Sequence, residues 1–180
     1  DYESLPAAML RKTVLFIIIS DSDSTFSFLS SILLQQLYEL LYRQADERKD
    51  HRLPIHTKFM NDEFTNCGKQ PDYEIKIATM RSREISATIL LQNITQLKNL
   101  YKDSWETIFG NCDTTIFLGG KEYESLEYLS KLIGNETVDY LSISETKGSS
   151  WSYQKSNQLI QRPLLAPDEI GRLNKDECLV

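Results

Sequence analysis

Apolar and polar positions fall into blocks whose period changes along the chain, and the blocks read alternately as strands and helices. Residues Thr13–Ser20 (TVLFIIIS) are almost continuously apolar, the pattern of a strand covered on both faces. Asp21, Ser22, Asp23 and Ser24 follow with turn and N-cap chemistry. Phe28, Ile32, Leu33, Leu37, Leu40 and Leu41 then recur at helical spacing and predict a helix over 25–46. A polar stretch, 47–53, closes at Pro54, and His56–Asn61 reads as a second strand. Tyr73, Ile77 and Met80 give one apolar stripe to a helix that begins near Pro71, and Ile85–Leu91 (ISATILL) reads as a third strand. Gln96–Lys102 and Ser104–Phe109 read as short helices. Thr114–Leu118 reads as a fourth strand stopped by Gly119 and Gly120, and Glu122–Leu132 as a helix that ends at Gly134. The polar, Gly/Ser-biased stretch Glu145–Gln158 is expected to be a flexible loop or mobile hairpin, spanning about 145–160. Pro167–Leu173 reads as a short helix with Pro in its first turn, and Cys178–Val180 as the start of a last strand. Strands alternating with helices imply an α/β fold with a mainly parallel sheet, built as one domain over 1–180.

Composition narrows the class. A chain of 180 residues with 41% hydrophobic and 26% charged residues can bury a core and is not a disordered segment. No apolar run approaches the roughly 18 residues that cross a bilayer. The net charge of −6 excludes a generally nucleic-acid-binding surface, so any DNA contact must be a local patch or loop. Cys67, Cys112 and Cys178 are odd in number and far apart, which argues against zinc and against a disulfide framework and fits a reducing compartment. The chain opens on Asp1 without a signal peptide and closes on Cys178, Leu179 and Val180 like a strand cut short, so it is expected to be a piece of a longer protein.

The sharpest chemical feature is the strand His56–Asn61 delivering Asp62 and Glu63 at its carboxyl end. Ligands of open α/β sheets bind at that end of the strands, and an acidic pair there has the form of a Walker B motif. Its first carboxylate can hold the water shell of a Mg²⁺ ion on nucleotide phosphates. Its second can orient or deprotonate an attacking water. The same pair also reads as two acids opening a loop. Gln92 ends the next strand, where an amide can donate to a phosphate and accept from water. A polar strand terminus is the plainer reading, and the ordered set of strand–Asp–Glu, helix, strand–Gln, helix and strand is what favours the first.

These residues carry a resemblance. The runs Asn61–Asp72, Ile77–Ala87, Ile89–Leu97, Tyr101–Asp103, Gly110–Thr114 and Phe117–Gly120 resemble type IV secretion coupling proteins of the TraG/VirD class, most strongly those of Gram-positive conjugative elements. The resemblance is specific from Leu53 to Gly120 and looser over Leu5–Leu41. Beyond Gly134 it rests on Ser144–Thr146 and Ala166–Ile170. It implies the C-terminal part of a RecA-like P-loop NTPase motor that forms a ring of six, uses ATP and Mg²⁺, and binds single- or double-stranded DNA. Such a motor docks relaxase and relaxosome proteins and feeds the type IV secretion channel from the cytoplasmic face of the bacterial membrane. Its membrane anchor and Walker A loop lie upstream. It also implies that Asp62 holds Mg²⁺ through water, that Glu63 activates water, and that Gln92 senses the γ-phosphate.

The departure from the family pattern matters equally. No G-x-x-x-x-G-K-[ST] stretch occurs among the seven glycines of the chain, and Gly119-Gly120-Lys121-Glu122 lacks both the first Gly and the hydroxyl residue. The parent resembles a DNA-dependent ATPase, but this segment alone is expected to hold no nucleotide and to be inactive. In RecA-like sheets the Walker A strand lies between the strands ending at Gln92 and Leu118. Those two either close the gap or leave it exposed to another chain.

Other residues stay open between two readings. Arg81 and Arg83 act in trans on a neighbouring subunit's nucleotide, or sit at a helix C-terminus favoured by its dipole. Lys147, Trp151, Tyr153 and Lys155 interleave charge and aromatic rings in a polar loop suited to single-stranded DNA, or are a solvated loop. His51 and His56 lack partners at ligand spacing and read as structural. Ser20, Ser22 and Ser24 have no G-x-S-x-G elbow around them. Asp21 and Asp23 are explained by turn and cap duty, and Asn93-Ile94-Thr95 and Asn135-Glu136-Thr137 are chance glycosylation matches. A non-catalytic docking module for relaxosome proteins or neighbouring subunits is the alternative to the motor.

Overall fold

Helix α1 (Ser27–Asp46) is the longest helix of the computed structural model, which describes residues 12–19, 25–146 and 152–180. The chain forms two compact units, one ending at Thr114 and one running from Thr115 to Val180; each is described by itself.

In the first unit, β1 (Thr57–Asn61) and β2 (Ile85–Ile89) pair in parallel, Thr57 opposite Ile85 and Asn61 opposite Ile89. Parallel neighbours require a crossover. Here it consists of a 3₁₀ turn (Phe64–Cys67), helix α2 (Tyr73–Thr79) and a second 3₁₀ turn (Arg81–Arg83). Helices α3 (Ile94–Tyr101) and α4 (Trp105–Gly110) follow β2. The buried stripe of α1 is Ser31, Leu34, Tyr38, Leu41 and Ala45, spaced three and four apart. Phe28, Ile32 and Leu33, expected on that stripe, are exposed.

Aromatic rings fill the centre of this unit. Tyr38 meets Phe59 with centroids 4.3 Å apart, Phe64 meets Tyr73 at 4.9 Å, and Phe64 stacks on Tyr101 at 5.8 Å. Such rings bury large apolar area and hold defined relative orientations. Burial pushes the Tyr101 hydroxyl up to about 12 and those of Tyr38 and Tyr73 well above the ordinary tyrosine range, so the cluster is neutral at physiological pH. Gly68 lets α1 approach the turn. Its φ is +76°, and a Cβ there would lie 3.1 Å from the Ser27 carbonyl oxygen. Beside it the Ser31 hydroxyl donates to the Lys69 carbonyl at 2.6 Å.

Three strands expected from the apolar pattern are not formed among the described residues. Residues 13–19 of the Thr13–Ser20 run carry no strand pairing; Ser20 lies outside the described residues. Ile17 and Ile19 pack on the core, whereas Val14, Phe16 and Ile18 are exposed. The run therefore has one covered side, and a strand takes its backbone bonds from neighbours that apolar character alone does not supply. Among the described residues the sheet of this unit consists of β1 and β2. Thr114–Leu118 is the second case. It makes a single antiparallel bridge, Phe117 with Leu179, which is also all that the expected strand Cys178–Val180 amounts to.

The second unit is built on α5 (Tyr123–Ile133) and a hairpin of β3 (Asn135–Thr146) and β4 (Ser152–Pro163), antiparallel from Asn135–Pro163 to Thr146–Ser152. Of the two forms expected for the stretch 145–158, loop or hairpin, the described residues take the hairpin, and residues 147–151 lie outside the described residues. Glu122 caps α5, accepting from the backbone N–H groups of Glu124 and Ser125. Gly134, at φ +92°, ends the helix. Leu126, Leu129 and Ile170 form the core with Phe117, Leu165, Leu173 and Leu179. The short helix α6 (Pro167–Ile170) has Pro at its start, as expected, and stops earlier than the predicted Leu173. The Glu169 carboxylate accepts from the Ala166 N–H at 2.7 Å and from Arg162 at 3.0 Å. Those two bonds, the backbone one first, hold its carboxyl below the ordinary range.

Candidate functional site

The carboxyl ends of β1 and β2 bring Glu63 and Gln92 together. The Leu90 N–H donates to the Asn61 carbonyl at 3.0 Å, and the Phe64 N–H returns to the Leu90 carbonyl at 3.1 Å. Strand pairing is thereby carried past the ends of β1 and β2 and pins the Asp62–Glu63 turn against residues 90–92. Glu63 takes a left-handed backbone conformation at φ 47°, unusual outside glycine. The turn holds because the next residue, Phe64, is fully buried in the aromatic core.

Both oxygens of the Glu63 carboxylate are engaged. Gln92 donates its amide Nε2 to Glu63 Oε1 at 2.9 Å, and Asn66 donates Nδ2 to Glu63 Oε2. Behind Gln92 the chain of bonds continues. Gln96 Nε2 donates to Gln92 Oε1 at 3.2 Å, and the Thr65 hydroxyl donates to Gln96 Oε1 at 3.2 Å. Every donor in this series points towards the carboxylate. Asn93 caps α3, its Oδ1 accepting from the Gln96 N–H at 2.9 Å. That cap starts the helix at Ile94, two residues before the expected Gln96, and places Gln96 one turn beyond Gln92.

Asp62 is exposed and makes no hydrogen bond or ion pair with a described residue. Its carboxylate is open to a cation or to the water around one. The described residues contain no group of three or more His, Cys, Asp or Glu able to hold a metal ion by themselves.

Arg81 and Arg83 lie at the other end of the sheet. They precede β2, whose five residues span about 16 Å and lie between them and Gln92. Arg83 is held within its own unit. Its Nε donates to Asp46 Oδ1 at 3.0 Å and its Nη1 to the Thr79 carbonyl at 3.4 Å, and its guanidinium lies 4.6 Å from the Tyr42 ring centre. Arg81 is exposed and has no side-chain partner among the described residues. Lys155 is exposed on β4, whereas Lys147 and Trp151 lie outside the described residues. His56 is structural in form, bridging Glu84 at 3.2 Å and Ser86 at 2.8 Å across the strand starts.

Three members of the site, Thr65, Asn66 and Gln96, carried no predicted role. A local signal existed: Asn93 followed three residues later by Gln96 is an N-cap pattern, and it puts Gln92 and Gln96 on one side at a spacing of four.

The comparisons with known proteins give the family and the fold. The family described as the TraM recognition site of TraD and TraG matches residues 56–175. The chain belongs to that family, that of the type IV secretion coupling proteins. It is 25% identical over 172 residues to protein VirD4 of Agrobacterium fabrum, covering 94% of this chain and 25% of that protein. To a conjugal transfer protein TraG of Escherichia coli it is 32% identical over 129 residues, covering 68% of this chain and 20% of that one. The chain thus spans a quarter or less of the length of these relatives. Among solved structures, the bacterial conjugative coupling protein TrwBdeltaN70 in its unbound form superposes with a TM-score of 0.60 at 16% identity, covering 83% of this chain and 34% of that one. Plasmid coupling protein TrwB in complex with ADP and Mg²⁺ superposes at 0.56 with 14% identity, covering 85% and 34%. The likeness shows the fold: this chain is part of a RecA-like P-loop NTPase α/β fold.

Proposed function

We propose that this segment supplies the Walker B half of an ATP site in a coupling protein that drives DNA into a type IV secretion channel. The observation that carries the reading is the Glu63–Gln92 hydrogen bond at the carboxyl ends of two adjacent parallel strands. The TrwB structure that shares the fold contains ADP and Mg²⁺, which supports the same ligands here. ATP with Mg²⁺ supplies the phosphoryl group and spreads its developing charge. Asp62 would hold the cation through its water shell. Glu63 takes a proton from the attacking water. Gln92 offers its amide N–H to an anionic oxygen, and in doing so releases Glu63 Oε1.

The phosphate-binding loop, the membrane anchor and the remaining sheet belong to other parts of the protein. The assembled ring sits at the cytoplasmic face of the membrane, receives relaxase-bound DNA, and contacts DNA through local features such as the β3–β4 hairpin carrying Lys155. Arg81 suits a role in trans better than Arg83, because Arg83 is already bonded within its unit.

A second reading has its own support. The matched family is described as a recognition site, which favours a docking surface for relaxosome proteins. The two readings separate in the whole protein. Asp62→Asn is expected to raise the Mg²⁺ concentration needed for nucleotide binding about tenfold, as loss of a partner beyond the first ligand shell does, and to leave capture of relaxosome proteins intact. An unchanged Mg²⁺ requirement contradicts the role given to Asp62. Capture that ignores nucleotide and Mg²⁺ in a protein without turnover favours the docking module.

A further inference from the structure

We propose that Thr65 and Gln96 are positioning residues that hold the Gln92 amide with its N–H end towards Glu63 and the phosphate side. The inference rests on the reading of Glu63 and Gln92 as a hydrolytic pair. Gln92 is exposed, so packing does not fix its rotamer, and a free glutamine side chain loses rotamer entropy on being fixed. Two hydrogen bonds hold it instead: one to Glu63 and one from Gln96. The first must give way when Gln92 turns to a phosphate oxygen or Glu63 takes a water. The second need not. Its polarity follows from the atoms involved. The Glu63 carboxylate only accepts, so Gln92 turns its N–H to Glu63 and its carbonyl to the Gln96 N–H, and the Gln96 carbonyl in turn takes the Thr65 hydroxyl at 3.2 Å. A reversed Gln96 would present its carbonyl to the Gln92 carbonyl and reject it.

The arrangement closes on itself. Thr65 stands two residues after Glu63, in the 3₁₀ turn that follows the acid. Side-chain bonds run from Thr65 through Gln96 and Gln92 back to Glu63, and the backbone of the turn completes the circuit. The acid and the amide are thereby held in a fixed relation by a turn anchored on buried Phe64. Preorganisation of this kind acts on the reacting geometry rather than on nucleotide affinity.

The test uses ATP turnover by the whole coupling protein. Thr65→Val keeps the shape and removes the hydroxyl. It is expected to lower kcat about fivefold, the worth of one hydrogen bond, with KM for ATP unchanged. Thr65→Ser restores the hydroxyl and is expected to recover kcat. Gln96→Met, of similar length without an amide, is expected to lower kcat about tenfold, again without moving KM. Thermal midpoints measured alongside separate these effects from unfolding. Wild-type kcat in both Thr65→Val and Gln96→Met, or equal losses in Thr65→Val and Thr65→Ser, would overturn the positioning role. If Glu63→Gln itself retains turnover, the hydrolytic reading beneath it fails instead.

Discussion

Replacing Glu63 by glutamine in the whole coupling protein is expected to lower ATP turnover by about 10²–10⁴, the usual contribution of a positioned general base. Nucleotide binding is expected to persist. Glutamine keeps the size of the side chain and can still meet Asn66 or Gln92 through its carbonyl oxygen, so the turn and its buried Phe64 anchor are undisturbed. What disappears is the basic oxygen that receives the proton. The measurement is steady-state turnover beside equilibrium nucleotide binding. A variant that binds and hydrolyses normally contradicts the assignment, and one that neither binds nor hydrolyses points to damage at the turn.

The second large effect is structural. Phe64 is fully buried, stacks on Tyr101 at 5.8 Å and meets Tyr73 at 4.9 Å. Phe64→Ala is expected to destabilise the first unit by about 3–5 kcal/mol, through lost burial and the cavity left behind. Because Phe64 anchors the turn that carries Glu63, turnover is expected to fall with it. Phe64→Leu, closer in volume, is expected to cost less than Phe64→Ala. Denaturant midpoints of the two variants check both statements. An alanine variant as stable as wild type would show that the aromatic cluster does not anchor the site.

How far the sequence discloses this molecule varies along the chain. The strands β1 and β2 and the helices between and after them are legible, because each is a short segment with regularly placed apolar residues bounded by Pro, Asn or charged residues. The meeting of Asp62–Glu63 with Gln92 follows once those strands are parallel neighbours. The run Thr13–Ile19 reads as strongly as either, but a strand depends on a partner's backbone, and apolar content does not name that partner. Thr114–Leu118 fails for the same reason. The β3–β4 hairpin is obscured in the opposite way. Its arms are polar, rich in Ser, Asn, Gln and Thr, and both Tyr140 and Leu159 stay exposed, so no buried face imprints a strict alternation. The relay's Thr65–Gln96 and Gln92–Glu63 bonds join segments more than 25 residues apart, which spacing within one segment does not encode, whereas its Gln92–Gln96 step is local. Arg83 shows the same limit. Its position suits a helix end or a neighbour's nucleotide, and its bonds to Asp46 and Thr79 appear only in three dimensions.

The central claim is the proposal that this segment supplies half of the ATP site of an ATP-driven DNA-transfer protein. The most direct measurement is ATP turnover by the whole coupling protein with and without added DNA, in preparations shown to bind their relaxase. The account predicts turnover that rises when DNA is added. An intact protein that binds its relaxase yet hydrolyses no ATP under either condition would contradict it.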